Sequence, residues 1–269
     1  MKTIENSHPS LTRLFATLLC VGFLAGCATA PEEGTPERAE YDEINDPIEP
    51  VNRAIFSFNQ LADDVLIRPL AVGYRTVMPS MIRRGVRNVL SNLRAPVTLA
   101  NDLLQFKPER ALVTGGRFLL NTTIGVGGLF DVATDWGIEG HREDFGQTLA
   151  VWGYPEGPYL MLPLLGPSNP RDTTGLVVDS FMDPWGYFIP GDYALVRPIV
   201  RALDERERVL DPLDEIERAS LDFYATLRSL YRQRRADEIR DGRPSPVIPI
   251  PSITIEDFED DSERITLVN

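Results

Sequence analysis

The chain has 269 residues, of which 27 are Lys or Arg and 40 are Asp or Glu, for a net charge of −13. A protein this acidic has no electrostatic reason to seek nucleic acid, and charge alone would not hold it on an anionic membrane surface. Any membrane contact must be apolar or made through a covalent lipid.

The first element is a targeting segment. Lys2 and Arg13 flank a polar start, and the sequence is apolar or small from Leu14 to Cys27. That run is shorter than the roughly 20 residues a spanning helix needs. It ends in Leu24-Ala25-Gly26-Cys27, small residues before a cysteine as in the bacterial lipobox. Residues 1–26 are therefore expected to be a signal peptide, with cleavage before Cys27 and acylation of its thiol. Cys20 leaves with the signal, so the mature chain keeps neither a free thiol nor a disulfide. The cut removes Lys2, Arg13 and Glu5 and makes the remainder slightly more acidic. Ala28 follows the lipidated cysteine, where lipoproteins kept in the inner membrane often carry Asp; by analogy it suggests export to the outer membrane. Residues 27–44 are polar, with Pro and Glu and no apolar period, and read as a tether.

The body, residues 45–242, reads as one mostly α domain. Val51, Ile55, Phe58, Ala62 and Val65 recur at spacings of four and three, which is one helix face. Asp46 before Pro47, or Glu49 before Pro50, marks its start. Pro69 ends this helix or kinks the segment after it. A second face is Ile82, Val86, Val89 and Leu93, and this helix is expected to stop before Pro96. The short apolar "VTLANDLLQF" comes next, and a further helix starts at Pro108. "GPYLMLPLLGP" (157–167) and "DPWGYFIPGDY" (183–193) mix apolar residues with breakers and read as core-filling loops or interfacial segments. A single rod is expected over 211–241, capped by Asp211 with Pro212 at its first position. Leu213, Ile216, Phe223, Leu227 and Leu230 form its face, Gly242 lies past its end, and its length would be roughly 40 Å. No sustained alternation of period two is visible. Residues 243–269, Pro-rich and then acidic, read as a disordered solvated tail, with partner binding as the alternative.

Catalytic signatures are missing. "GVGGLF" has Phe130 where a dinucleotide loop needs its last glycine, and no lysine or hydroxyl comes after it at P-loop spacing. No G-x-S-x-G occurs. One of the two histidines, His8, lies in the signal, and His141 stands alone, which leaves little for a zinc site or a Ser-His-Asp set. Asp63-Asp64 and Glu143-Asp144 are paired carboxylates, and in so acidic a chain such pairs are expected to be solvated faces. These absences argue against an enzyme and leave no cofactor to predict.

Four segments occur in order behind the lipobox: "NDPIEPVNRAIFSFN", "RPLAVGYR", "RFLLNTTIGVGGLFDVA" and "EDFGQTLAVWGYPEGPYLMLPLLGPSNPRD". Together, over roughly residues 44–235, they resemble the VacJ family of outer-membrane lipoproteins, also called MlaA. The resemblance implies a mostly helical, ring-like body embedded in the inner leaflet of the outer membrane, facing the periplasm. It implies a channel that takes phospholipid mislocalised in the outer leaflet toward a periplasmic carrier, MlaC, with a trimeric porin holding the lipoprotein in place. On this reading Gly125, Gly127 and Gly128 allow close backbone approach where apolar helices turn at the lipid interface, or else form an ordinary packed turn. Phe58 and Asn59 match the family's first-helix motif, with Phe58 a channel or a core residue. Arg171 and Asp172 match its "RD", as headgroup contacts or a local ion pair. Gly153, Gly157 and Pro158 become hinge-like points near the channel. The arginines of 211–241 are the candidate docking surface for the carrier. A tethering lipoprotein without lipid transfer and a periplasmic lipid hydrolase are the rival readings.

Overall fold

The computed structural model describes residues 44–189 and 195–243. Cys27, the tether up to residue 43 and the tail beyond 243 lie outside the described residues. Helix α1 (Glu49–Ala62) runs through a π-turn (Asp63–Ile67) into α2 (Arg68–Val77). Pro50 sits in the first turn of α1, where its missing N–H costs nothing. The start is thus at Glu49, and Asp46 is buried outside the helix. Pro69 does not end the rod. Its ring would strike the carbonyl four residues back, and the wider π-turn just ahead accommodates the break in the ladder. Met78, extended before Pro79, ends α2.

Helix α3 (Ser80–Leu104) is longer than the sequence suggests, because it passes through Pro96. Val97, Thr98, Asn101 and Asp102, all beyond the proline, are buried. Their burial and hydrogen bonds offset the roughly 3 kcal/mol that an interior proline costs. Helix α4 (Pro108–Thr123) returns along α3. The short α5 (Val132–Asp135) and α6 (Phe145–Val151) come next. A hairpin of β1 (Leu160–Leu162) and β2 (Gly166–Ser168) pairs antiparallel, with Met161 opposite Pro167. The chain continues through α7 (Pro170–Met182), α8 (Trp185–Phe188), α9 (Val196–Arg208), α10 (Leu210–Ala219) and α11 (Phe223–Ile239).

The expected single rod over 211–241 is two helices. Ser220 is extended, and the Asp222 side chain caps α11 by accepting from the Ala225 N–H. The same carboxylate accepts two bonds from Arg53 of α1 at 2.6 and 3.2 Å. Capping and this ion pair fix a second helix start where periodicity alone reads continuity. Asp211 lies inside α10 rather than ahead of it.

Helix α6 crosses α7 almost backbone to backbone. A Cβ on Gly175 would sit 2.7 Å from the Gly146 Cα. Helix α9 lies along α2 and reaches α3, while α11 closes on α6 and β2.

The interior is unusual in composition. Among the described residues eight apolar side chains are buried against nineteen polar or charged ones, so polar bonding rather than oil holds the inside. The apolar core is a small cluster of Tyr159, Met161 and Tyr224, flanked by Ile55, Phe56 and Tyr231. Large apolar side chains instead lie outside, from Leu61, Val65 and Leu66 to Leu112, Leu119 and Phe181. None of the described helices is long and apolar enough to cross a membrane.

Candidate functional site

Two cavities share a wall. The first, about 440 Å³, lies between α3, α4, α9 and the loop before α6. Six arginines line it, Arg87, Arg94, Arg117, Arg142, Arg201 and Arg208, against Asp131, Asp204 and Glu205. Arg87 and Arg94 are seven residues apart on α3, as are Arg201 and Arg208 on α9, so each pair falls on one face. Arg117 is fully engaged: it donates to both oxygens of Asp131 at 2.9 and 3.0 Å and also to the Ile138 carbonyl. Burial opposes the charge on Asp131, but hydrogen bonds from Thr134 and Asn121 and the nearby Arg117 hold its carboxyl below the usual range.

The second cavity is apolar, about 830 Å³, and is bounded by Ile82, Val86 and Val89 of α3, by Leu129 and Phe130, and by Val200 of α9. The α3 face read from the sequence is thus one wall of this groove. Asn88, Leu90, Asp131 and Thr134 border both cavities. A polar, cationic chamber therefore adjoins an apolar slot along one edge.

None of the channel, hinge or headgroup candidates that the family motifs name lines either cavity. The glycine turn comes nearest, since it places Leu129 and Phe130. Gly128 has φ +90°, and a Cβ there would meet the Asn92 Cβ at 2.5 Å. Gly125 is pressed against the Asn121 carbonyl, and Gly127 also takes a positive φ of 70°. Both close approach and left-handed backbone thus require glycine in this turn.

The others gather around the hairpin. The Asn59 amide donates to the Leu162 carbonyl at 2.9 Å and accepts from the Leu164 N–H at 2.8 Å. Asn52, two turns earlier, does the same for Tyr159 and Met161 at 3.0 and 2.9 Å. The hairpin is docked on α1 by two asparagines seven residues apart. Phe58 points outward and is half exposed. Gly153 ends α6, and the Gly157 carbonyl just before Pro158 accepts from Asn45 at 2.7 Å. Arg171 is buried, Asp172 is partly so, and the two are bonded to each other at 3.0 Å.

Asp172 belongs to a larger knot. It accepts from the Tyr231 hydroxyl at 2.5 Å and from Arg235 at 2.8 Å, and Arg235 also donates twice to Asp144 at 2.6 and 2.7 Å. Burial opposes ionisation of Asp144 and Asp172, but Arg235 prevails and holds both below the carboxylate range. The expectation that Glu143-Asp144 is a solvated pair is overturned. Glu143 is also buried and ion-paired to Arg110 at 2.8 Å, and burial raises its pKa. Asp63 likewise pairs with Arg206 at 2.6 Å, while Asp64 faces solvent. Arg228 and Arg235 of the proposed docking helix point inward: Arg228 donates to buried Asp46 at 2.7 Å. Asp102, His141 and Glu143 lie close enough to share a cation. Arg110 already occupies Glu143, and His141 is bonded to Asp102 at 2.9 Å, so the charge there is compensated within the protein.

The described residues thus form a helical body with a largely polar interior, many exposed apolar side chains and a cationic chamber beside an apolar slot. The family model of the MlaA lipoprotein matches residues 44–238, and the chain belongs to that family. It is 33% identical over 235 residues to the intermembrane phospholipid transport system lipoprotein MlaA of Haemophilus influenzae, covering 86% of this chain and 91% of the relative. The Escherichia coli K12 protein of the same name is 34% identical over 228 residues, covering 82% and 86%. An uncharacterised Rickettsia prowazekii protein is 40% identical over 196 residues, covering 72% and 78%. A solved structure from work on the structural basis for maintenance of bacterial outer membrane lipid asymmetry superposes with a TM-score of 0.65 at 34% identity, covering 72% of this chain and 98% of that one.

Proposed function

We propose that the protein is a lipid-anchored outer-membrane component that removes mislocalised phospholipid from the outer leaflet and passes it to a periplasmic carrier. The observation that carries this is the inverted body, polar inside and apolar outside, with a cationic chamber joined to an apolar slot. A lipid in transit needs hydrocarbon for its chains, worth about 0.8 kcal/mol per CH₂ kept from water, and a polar path for its headgroup. The names of the Haemophilus and Escherichia relatives support the same substrate. On this reading the body is a ring seated in the inner leaflet, anchored at Cys27 on the periplasmic side and held by a trimeric porin. It acts without catalysis, and MlaC receives the lipid. Asn59, Gly153, Gly157, Pro158 and the Arg171–Asp172 pair set the position of the hairpin beside the path. Gly125, Gly127 and Gly128 set the wall of the slot, and Phe58 faces the membrane.

The test is outer-leaflet phospholipid content in cells lacking the gene, complemented with wild type or with Cys27→Ala. Accumulation that only wild type reverses supports the reading. Unchanged asymmetry in the deletion strain refutes it and leaves tethering as the better account.

A further inference from the structure

The acidity of the chain is reversed in one place. The polar chamber collects six arginines against three carboxylates, in a protein whose net charge is −13. Arg117 is engaged with Asp131, and Arg87 stands 3.7 Å from Asp204. Arg94, Arg142 and Arg201 converge from three separate segments: the middle of α3, the loop before α6 and the middle of α9. Arg142 and Arg201 share one acid, Glu205, at 3.5 and 2.9 Å. Among the described residues Arg94 has one carboxylate within 4 Å, Asp179 at 3.5 Å. Its buried Nε, like that of Arg87, has no hydrogen-bond partner among the described residues. Burial and then the other two guanidiniums lower the pKa of Arg94; burial and then Arg201 lower that of Arg142.

Guanidiniums held this close, with one of them short of acceptors, are incomplete without an anion. A phosphate matches them best, because its oxygens accept from several planar forks at once. The apolar slot begins at the same wall, formed by Asn88, Leu90, Asp131 and Thr134. A molecule carrying both a phosphate and hydrocarbon spans the two cavities.

We propose that Arg94, Arg142 and Arg201 form a phosphodiester clamp that holds the headgroup of a glycerophospholipid while an acyl chain lies in the slot. The clamp rests on the lipid-transport reading and adds the chemical group recognised and the residues that recognise it.

The test is calorimetric titration of the full-length acylated protein in detergent with three probes. These are dihexanoyl-phosphatidylglycerol below its micellar concentration, dihexanoylglycerol, which lacks the phosphate, and inorganic phosphate. Arg142→Gln and Arg201→Gln alter partly exposed side chains and are the primary variants. Arg94→Gln is paired with Arg94→Lys, and helical content is checked by circular dichroism. The clamp predicts that the phospholipid binds, that dihexanoylglycerol binds at least about 10-fold more weakly, and that each Gln variant weakens the phospholipid by about 10-fold or more. Equal binding of the two lipids, unchanged in the variants, overturns the clamp and leaves the lipid reading standing. Inorganic phosphate binding as tightly as the phospholipid overturns a lipid headgroup as the occupant. Failure of both lipids to bind overturns the clamp and the lipid reading together.

Discussion

Replacing Arg235 with Met removes the centre of the ion-pair knot that joins α6, α7 and α11. Arg235 donates to both carboxyl oxygens of Asp144 and of Asp172 at 2.6 to 3.1 Å. Asp144 caps α6, and Asp172 lies in the first turn of α7, so one guanidinium of α11 fastens two helix N-termini. Met preserves the bulk of the side chain and takes the guanidinium from both carboxylates, leaving Asp172 with Arg171 and Asp144 with its backbone cap. Removing one partner of a buried pair costs about 3–5 kcal/mol. For a domain of this size that is a melting-point drop of about 6–20 °C at neutral pH, read by circular dichroism in detergent. The sign of the shifts sets the pH dependence. Both carboxylates are held below their ordinary values, so the stability they contribute is present above about pH 4 and is lost as the pH falls through their lowered folded values. In Arg235→Met this acid-side loss should shrink. Adding Asp172→Asn should restore part of the neutral-pH stability, because one of the charges deprived of Arg235 is gone. A drop below about 2 °C for Arg235→Met, or a double variant that loses the sum of the two singles, refutes the knot as a coupled unit.

Close contacts elsewhere give further expected outcomes. Gly175→Ala should push α6 from α7, because the new methyl meets the Gly146 backbone, and should cost about 1–3 kcal/mol in thermal unfolding with helical content retained. Asn59→Ala removes both bonds that fix the hairpin turn; cleavage by limited proteolysis at Leu164 and Leu165 should rise severalfold while α1 stays protected. Gly128→Ala combines a positive φ with a clash against Asn92; it should cost about 1–3 kcal/mol and displace Leu129, measured as increased labelling of a cysteine placed at Leu129.

Helices α1 and α3 are legible in the sequence because their apolar residues keep a 3.6-residue period, as Ile82, Val86 and Val89 of α3 do. Their limits are less legible. Pro96 looks like a stop, yet distant partners of Asn101 and Asp102 hold the helix together beyond it. The break at Ser220 is hidden because its cause, the Asp222–Arg53 pair, joins residues 169 apart. The family motifs point to glycines, Asn59 and the Arg171–Asp172 pair, which shape backbone and hairpin. The chamber arginines carry only a weak local signal, the seven-residue spacing of Arg87/Arg94 and Arg201/Arg208. Their convergence depends on how α3, α4 and α9 pack, which no local pattern encodes. Paired carboxylates mislead for the same reason: Glu143 and Asp144 look solvated until Arg110 and Arg235 arrive from other helices.

The most direct test of lipid passage is photocrosslinking in cells labelled with radioactive phosphate. A benzophenone amino acid is placed at Ser91, which lines the polar chamber, and in a second strain at Leu112, an exposed apolar position. If lipid passes through the chamber, phospholipid adducts form at Ser91 as well as at Leu112. Adducts at Leu112 with none at Ser91 would mean that lipid surrounds the protein without entering it, and would contradict the central claim.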